Sequence, residues 1–556
     1  MASRAQRNDR TWSRWVVVAI PFLFISGACA APVGDEAPND VRVPVAIGLN
    51  RNQTGLAQAA DSTADPSNAQ FLRRLSAQEI KSRFGADPHN AQQALNTLQQ
   101  AGMTGDLDPT GSIIIGDMSV KDAEEFFGID LRLVDDDGVK VIRPPATVAV
   151  PNSISAFATN VAGFTRSIPS GTSTPTPPAA SDLPPCPAPI SLTKKLRTYY
   201  GLDGIYAQGN TGQGISLAML EIDQLSQPAI QLFEKCFKVD IPPVTNQVVA
   251  DANPEVFGDE AQESTLDIVA AGMLAPNLDG IRTYQFDPYT SMLFPLNDAV
   301  SDSYQPNGPE ILSTSISVCE DNLSQSEITM MEWVLSAGAA SGLTTVASAG
   351  DSGSSGCYPS TKAQKNQYPG TSAYASALGG TEFAADGSAT TEVVWNNSPT
   401  QEQAGGGSDV SRLPKPSYQS AIPGPSNRIT PDIALVAEPA DFGPIPVCKN
   451  NGSCQMQVVG GTSATAPGYA AATSTMLQAL RKKSQPQLRL GSMNPMLYSL
   501  AASPARSSVF HDIVQGNNDL YGTGCCTAVP GYDPASGWGS VNFGAMLTAY
   551  ASRAPQ

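Results

Sequence analysis

The sequence predicts an α/β fold, a parallel sheet with helices on both faces, preceded by a small α+β domain. In the second half, the apolar runs 215–222, 310–317 and 344–350 lack polar alternation and are separated by helical segments. Strands that are apolar on both faces are typical of a parallel sheet that helices cover on both sides. Residues 41–148 instead alternate short strands with amphipathic helices, which indicates a separate α+β unit.

Length and charge narrow the possible functions. The chain has 556 residues, which is long for one domain, and its 48 glycines and 45 prolines are consistent with a globular protein that has long loops. Its 51 acidic and 33 basic residues give a formal charge of −18. A protein that binds nucleic acid needs a basic surface to neutralise phosphates, so we expect no nucleic-acid partner.

The N-terminus has the pattern of an export signal. An arginine-rich start precedes an apolar run at 15–28, and an A-x-A site follows at 28–30. This pattern predicts a signal peptide over residues 1–30 and a secreted protein. Two alternatives remain open, an uncleaved membrane anchor and a lipid anchor on Cys29, and only through these would the chain meet a membrane.

A predicted capped helix and a proline-rich segment follow the export signal along the chain. In "FLRRLSAQEIKSRFGA", Ser76 and Glu79 have the spacing of a capping box, and Ile80 and Phe84 fall on one face of the predicted helix. Around 169–189 the sequence becomes "PSGTSTPTPPAASDLPPCPAP", in which proline removes backbone donors and fixes φ. This segment is therefore predicted to be an extended, protease-accessible tether.

The cysteines predict disulfides. Apart from Cys29, the chain has an even set of eight, which in an exported protein favours disulfide bonds over free thiols. The predicted local pairs are Cys448 with Cys454 and Cys319 with Cys357. Adjacent Cys525 and Cys526 are expected to bond elsewhere or not at all.

A candidate nucleophile lies at the start of a helix. The tripeptide Gly-Thr-Ser ends at Ser173, Ser372 and Ser463, and only Ser463 opens a long Ala-rich helix after two glycines. A helix N-terminus has unpaired N–H groups that favour developing negative charge. The same position also suits a simple N-cap, so the pattern alone leaves both readings open.

The base that would activate this serine is predicted to be a carboxylate. Histidine is the usual base, but the chain has only 2 histidines, His89 in the small domain and His511 beside Asp512. Glu263 and Asp267 are four residues apart and therefore lie on one face of a predicted helix. Two neighbouring carboxylates separate their pKa values, which suits one of them for general acid–base work, although such a pair is also common on a solvated face.

A further acid follows an apolar strand. Asp351 lies in "SAGDSGSSGC", a turn at the position where open α/β sheets place ligands. The GDSG in this turn would make Ser352 the nucleophile of a chymotrypsin-like protease. That alternative requires an all-β fold and a catalytic histidine upstream, and this segment has neither.

Together these residues resemble a known family. Glu263-x-x-Leu266-Asp267, "SAGDSG" with Asp351 and "GGTSATAP" with Ser463 resemble the signature blocks of the sedolisins, or serine-carboxyl peptidases. The segments "YPGTSAYASALGGTEF" and "RITPDIALVAEP" fit as well, and "DPSNAQFLRRLSAQEIKSRFGA" is similar to the family's activation propeptide.

The resemblance implies an organisation and a set of roles. It implies a ferredoxin-like activation propeptide over 31–165, a Pro-rich activation linker over 166–189 and a subtilisin-like peptidase domain over 190–556. Ser463 would attack the peptide carbonyl, Glu263 would act as base and acid, and Asp267 would orient Glu263. Asp351 would lie in the oxyanion hole, where only its protonated form can donate, so activity is expected at acidic pH.

The resemblance also implies one structural Ca²⁺. In "FHDIVQGNNDLYGTGCCTAVPGYDPASGWGS", Asp512 and Asp533 would supply carboxylate oxygens, and Ile513, Val529 and Gly531 would supply backbone carbonyls. Hard oxygen ligands suit Ca²⁺. The alternative from the residues alone is a pair of ordinary loop aspartates.

The sequence therefore predicts a secreted, self-processing, acid-active peptidase that cleaves polypeptides and is inhibited by its own propeptide. Both endopeptidase and tripeptidyl-peptidase action are compatible with these motifs. At 313–317 the family commonly has S-x-S followed by an aromatic residue and glycine. This chain has Ser313-Thr314-Ser315 followed by Ile316 and Ser317, so the aromatic residue and the glycine are missing. This departure supports one alternative, a secreted peptidase-like binding protein without turnover.

Overall fold

A computed structural model describes residues 34–136, 138–168, 184–187, 192–250, 252, 261–384, 391–449 and 453–554. The predicted signal peptide lies outside the described residues, and so does most of the predicted linker. Among the described residues, no helix is both long and apolar enough to cross a bilayer.

The N-terminal region contains a four-stranded antiparallel sheet of ferredoxin-like order. Its strands and helices are β1 (Asp35–Glu36), β2 (Arg42–Leu49), α1 (Gln53–Ala64), α2 (Ala77–Phe84), α3 (Pro88–Gln100), β3 (Thr104–Leu107), β4 (Ile113–Ser119), α4 (Val120–Phe127), β5 (Arg132–Asp136), β6 (Val139–Arg143), β7 (Ala158–Gly163) and β8 (Arg166–Ile168). The sheet order β3-β4-β2-β7, with α1 to α3 after β2 and α4 after β4, is a split βαβ arrangement. A second sheet has the order β1-β5-β6-β8. The predicted small α+β domain is confirmed.

Local sequence explains these helices. Ser76 and Glu79 form the predicted capping box at the start of α2, and Ile80 and Phe84 are the buried residues of that helix. Asp87 caps α3, where Pro88 occupies the first helical position at no cost in hydrogen bonds.

The C-terminal region is built around a mainly parallel sheet. Its strands are β9 (Ser216–Glu221), β10 (Val244–Val248), β11 (Gly280–Gln285), β12 (Ile311–Thr314), β13 (Val318–Cys319), β14 (Thr344–Ser348), β15 (Gln367–Tyr368), β16 (Ala375–Phe383), β17 (Glu392–Val394), β18 (Ile433–Val436), β19 (Pro444–Cys448), β20 (Cys454–Val458), β21 (Phe510–His511) and β22 (Ser540–Val541). The central sheet has the order β10-β11-β9-β12-β14-β16-β17, and β18 also pairs with β16. Within this sheet only β17 runs antiparallel, at an edge.

Helices cover both faces of this sheet. They are α5 (Leu192–Tyr199), α6 (Asp203–Tyr206), α7 (Gln227–Phe237), α8 (Glu263–Leu274), α9 (Leu293–Ser303), α10 (Gln325–Ala340), α11 (Pro439–Phe442), α12 (Thr462–Lys483), α13 (Asn494–Ala501), α14 (Arg506–Val509) and α15 (Phe543–Ala551). In β9, Leu217 and Met219 pack into the core with α8 and α12, whereas Ala218 and Leu220 pack into the core with α9 and α10. Because alternate residues enter different cores, the strand is apolar throughout, as the sequence predicted.

The two regions pack together through α10. Leu56, Ile80 and Phe84 of the N-terminal region share a buried cluster with Ala337 and Ala340 of α10. The backbone N–H of Leu75 donates to the carbonyl of Ala340 at 2.8 Å. The N-terminal region therefore covers one side of the sheet domain.

The predicted local disulfides Cys319–Cys357 and Cys448–Cys454 are both present, and Cys186 pairs with Cys236. The expectation for Cys525 and Cys526 was wrong, because these adjacent residues bond to each other. Adjacent cysteines can close a small ring, an option that the sequence argument did not weigh.

Candidate active site

Ser463 lies at the second residue of α12, directly after a glycine turn. Gly461 has a φ of 107°, and a Cβ at this position would collide with a carboxylate oxygen of Asp351. A side chain is therefore excluded here by both conformation and space. Ser463 is fully buried, and among the described residues its hydroxyl has no hydrogen-bond partner.

The carboxylates of α8 meet this helix at its N-terminus. Glu263 opens α8, and Asp267 lies one turn later. Both side chains are buried, Glu263 at 2% exposure and Asp267 at 0%. The alternative of a solvated acidic face is thus wrong, because α8 is enclosed between the central sheet, α7 and α12.

Asp223 holds the start of α8 in place. Gln262, the N-cap residue of α8, makes no side-chain hydrogen bond to the first turn of the helix. Instead, the carboxylate of Asp223 accepts from the backbone N–H groups of Glu263 at 2.8 Å and Ser264 at 3.0 Å. This contact neutralises unpaired donors of the helix and fixes the position of Glu263. The sequence analysis missed Asp223, which lies 40 residues before Glu263.

Ser315 joins the two helices of the site. Its hydroxyl lies 2.9 and 2.8 Å from the carboxylate oxygens of Asp267 and 3.0 Å from the carbonyl oxygen of Ser463. A hydroxyl has one proton, so it donates to one of these acceptors at a time. Ser315 directly follows β12, and this position at the carboxyl end of a parallel strand was the signal that could have identified it.

Asp351 follows β14 and reaches the same helix terminus. Its Oδ1 accepts from the backbone N–H of Thr462 at 2.8 Å and from the hydroxyl of Thr462 at 2.7 Å. Its other oxygen faces Gly461. Burial raises the pKa of Asp351 to about 6, although the Thr462 donors oppose the shift.

The acids of the site raise one another's pKa values. Burial, opposed by the Ser463 hydroxyl and reinforced by Asp223 and Asp351, raises the pKa of Glu263 to about 8. Burial and then the charge of Glu263 raise the pKa of Asp267 well above its ordinary range. The cluster therefore holds protons that isolated carboxyl groups would lose.

Glu221 is another acid that the sequence analysis missed. It ends β9, is 1% exposed, and neither carboxylate oxygen has a hydrogen-bond partner among the described residues. Burial, followed by the charges of Asp267, Asp223 and Glu263, raises its pKa well above the ordinary value.

The hydroxyl of Ser463 and the carboxyl group of Glu263 are close but not bonded. The hydroxyl lowers the pKa of Glu263, which requires proximity, yet neither carboxylate oxygen makes a hydrogen bond of normal geometry. Catalytic hydrogen bonds are often long before substrate binds and tighten in the complex.

The histidines lie outside this cluster. His89 is in the first turn of α3 in the N-terminal region. The ring of His511 packs edge-on against Tyr199 with centroids 4.6 Å apart, and its Nδ1 lies 3.4 Å from the hydroxyl of Ser540. Neither of the two histidines therefore lies beside Ser463, which leaves the carboxylates as the candidate bases.

The departure at Ile316 and Ser317 is accommodated inside the protein. Ile316 is buried in the core that contains Phe294 and Tyr368. The hydroxyl of Ser317 donates to Oε1 of Gln367 at 2.6 Å, and that oxygen packs against Gly350. Ser317 therefore uses its hydroxyl to hold the segment that leads to Asp351.

The segments that carry the predicted metal ligands contact each other in a second location. The carboxylate of Asp512 accepts from the N–H of Gly531 at 2.9 Å, and Oδ2 of Asp533 accepts from the N–H of Val529 at 3.0 Å. Arg506 also pairs with Asp512 at 2.9 Å. The loops of Asp512 and Asp533 thus meet, and a cationic group already lies at the carboxylate of Asp512. Burial raises the pKa of Asp533 to about 6, although the hydrogen bonds that it accepts from Val529, Ser536 and Ala535 oppose the shift.

One other group of potential ligands does not suit a metal. Cys319, Asp321 and Cys357 lie close together, but the two cysteines form a disulfide and cannot supply thiolates.

The chain is similar in sequence to several known proteins. Residues 32–167 match the family described as "Pro-kumamolisin, activation domain". Kumamolisin of Bacillus sp. (strain MN-32) is 32% identical over 350 residues, a match that spans 60% of this chain and only 60% of kumamolisin's own length. Sedolisin of Pseudomonas sp. (strain 101) is 26% identical over 548 residues, 95% of this chain and 90% of that protein.

A solved structure supports the fold. The structure of "Pseudomonas sedolisin (serine-carboxyl proteinase) complexed with two molecules of pseudo-iodotyrostatin" superposes with a TM-score of 0.55 at 24% identity. The superposition covers 65% of this chain and 97% of the other. At this identity the likeness shows a shared fold, which agrees with the predicted subtilisin-like sheet domain.

Proposed function

Because the chain belongs to the sedolisin family and carries an activation domain, we propose that it is a self-processing serine-carboxyl peptidase that hydrolyses polypeptides at acidic pH. The observation that carries this proposal is the arrangement of buried Glu263 and Asp267 and half-buried Asp351 around the N-terminus of the helix that bears Ser463.

The acyl-transfer step uses Ser463 and Glu263. Oγ of Ser463 forms a bond to the carbonyl carbon of the substrate while its proton passes to Glu263. Glu263 then gives this proton to the leaving amine as the C–N bond breaks. In the second half-reaction Glu263 takes a proton from water, whose oxygen attacks the acyl-enzyme, and Glu263 returns this proton to Oγ of Ser463 as the ester bond breaks. Asp267, held by Ser315, orients Glu263.

Asp351 would stabilise the negative charge that develops on the carbonyl oxygen. Its Oδ1 accepts from Thr462, so a proton on the other oxygen is free to be donated to the substrate. Only the protonated acid can play this role, because its anion would repel the oxyanion. With a pKa of about 6, Asp351 loses this ability as the pH rises above that value.

In this proposal the protein is exported and then activated by cleavage. Residues 1–30 would direct secretion, in keeping with the disulfides of the chain. Residues 31–165 would inhibit the peptidase domain, 190–556, until the linker, 166–189, is cut. Endopeptidase and tripeptidyl-peptidase action both fit this chemistry.

A structural Ca²⁺ at the Asp512 and Asp533 loops completes the proposal. The oxygens of Asp512, Asp533, Ile513, Val529 and Gly531 are the hard ligands that Ca²⁺ prefers, and the ion would neutralise the buried carboxylate of Asp533. It would clamp the loops together and so stabilise the fold.

The test is the processing of the proenzyme and the hydrolysis of denatured protein at about pH 4. We expect Ser463→Ala to remain a full-length proenzyme by mass spectrometry. Ser352→Ala, which removes the serine of the GDSG turn, is the matched control and should process as wild type does. Normal processing of Ser463→Ala would remove Ser463 from the mechanism, and wild type without hydrolysis would favour the binding-protein alternative.

A further inference from the structure

The carboxyl end of β11 carries an acid that the proposed mechanism does not use. Asp287 follows Phe286, whose backbone N–H donates to the carbonyl of Glu221 at 2.9 Å. Glu221 interacts with Asp267 in the acid cluster, and Ser315 follows the neighbouring strand β12 at the same edge of the sheet. Asp287 therefore lies at the edge of the sheet that carries the catalytic groups, where open α/β sheets bind ligands.

The N-terminal region occupies one oxygen of this carboxylate. Oδ2 of Asp287 accepts from the backbone N–H of Ser167 at 2.9 Å and from its hydroxyl at 2.5 Å. Oδ1 accepts from the N–H of Tyr289 at 2.9 Å, within the peptidase domain itself. Asp287 is 1% exposed and Ser167 is 3% exposed. In the described part of the chain, both donors to Oδ2 thus come from one residue of the N-terminal region.

That residue belongs to a segment that activation would remove. Ser167 lies in β8, where it is paired with Val141 of β6 in an antiparallel register. The match to the activation domain ends at the same residue, which is the second residue of the predicted activation linker, 166–189. Removal of the N-terminal region would leave Oδ2 of Asp287 without either donor. When a bound substrate covers Asp287 in place of that region, an unpaired oxygen would be costly, so the site favours a substrate that supplies a donor.

Apolar residues next to Asp287 and next to Ser315 pack into one core. Ile316 directly follows Ser315, and it shares one buried core with Phe286 and Phe294. Ala162 of the N-terminal region also packs into this core. The segment that would leave on activation therefore covers the carboxylate and also packs into this core.

We propose that, in the mature peptidase, Asp287 binds the substrate residue that takes the place of Ser167. The inference rests on the proposed peptidase function. Because Ser167 is at the very start of the linker, 166–189, and cleavage falls after it, the substrate residue at this position precedes the scissile bond. The carboxylate of Asp287 accepts one hydrogen bond from the main-chain N–H of this substrate residue and another from a second donor, which is a hydroxyl or ammonium group. Asp287 thus selects substrates with Ser, Thr, Lys or a free N-terminus at this position over aliphatic isosteres, which leave one acceptor unpaired.

The experiment compares kcat/KM of mature wild type, Asp287→Asn and Asp298→Asn on matched peptides. The peptides carry Ser or Ala, or Lys or norleucine, at each position before the scissile bond, and each is made with a free and an acetylated N-terminus. The control, Asp298, is a partly exposed carboxylate on α9 that accepts from Gln247 at 3.2 Å. Asp287→Ser is a second neutral replacement, which provides the test if the Asn variant does not fold.

We expect wild type and Asp298→Asn to prefer the donor peptide at one position by about tenfold, mainly through KM. In the Asp287 variants this preference should fall below about threefold. The Ser, Lys and free N-terminus arms identify which donor supplies the second hydrogen bond. A wild type without any such preference, or a preference that survives in the Asp287 variants, overturns the inference. Failure of wild type to cleave any peptide would instead overturn the proposed function on which it rests.

Discussion

Replacement of Asp351 by asparagine should stabilise the protein at neutral pH and leave its stability unchanged at acidic pH. The pKa of Asp351 is raised in the folded protein from 3.8 to about 6, so between these values the folded state binds more protons than the unfolded state. Stability therefore falls as the pH rises through this window. Asparagine resembles the neutral acid and keeps the oxygen that accepts from Thr462.

The size of the effect follows from the shift. A shift of about two pKa units corresponds to at most about 3 kcal/mol between the acidic and neutral limits. We expect Asp351→Asn to exceed its parent by up to about 3 kcal/mol in free energy of unfolding at about pH 7, and to match it at about pH 3.5. The measurement is urea denaturation at both pH values, with Ser463→Ala as the parent to prevent self-cleavage.

Asp298→Asn separates stability from catalysis. Burial raises the pKa of Asp298 to about 6 as well, yet this residue lies on α9 rather than in the cluster around Ser463. Its replacement should give a similar pH-dependent gain in stability. In chains that retain Ser463, only Asp351→Asn should change the pH profile of hydrolysis. A gain in stability that is equal at both pH values, or a loss that grows as the pH rises, would refute the linkage argument for Asp351.

Three further predictions concern other parts of the molecule. Ser315→Ala removes the hydroxyl that holds Asp267, so kcat should fall by about tenfold or more with little change in KM, and an equal kcat would show that Ser315 does not position the pair. Leu56→Ala opens a cavity beside α10 and costs about 2–5 kcal/mol of packing, so acidified proenzyme should process with a shorter lag by gel analysis than wild type, and an unchanged lag would contradict this. Chelation of Ca²⁺ should lower the melting temperature of wild type but not of Asp533→Asn, and equal responses of the two proteins would place the ion elsewhere.

Local patterns in the sequence were sufficient for the elements and for part of the site. The capping box of Ser76 and Glu79, the shared helical face of Glu263 and Asp267, and the glycine turn before Ser463 all depend on residues within a few positions of one another. Helix periodicity and turn conformation are properties of such short segments, so they can be read without a fold. The parallel sheet followed in the same way, from strands that are apolar on both faces.

The tertiary structure alone decided which distant groups meet. Asp223 holds the first turn of α8 from the end of another strand, and Ser315 touches both Asp267 and Ser463 because the register of the parallel strands ends them at one edge. The contact of Ser167 with Asp287 spans 120 residues. Nothing in the local sequence encodes such distances, because they arise from strand order and from the packing of the N-terminal region on the sheet domain. The burial that raises the pKa values of the acids has the same origin, since desolvation depends on what covers a side chain in the folded protein.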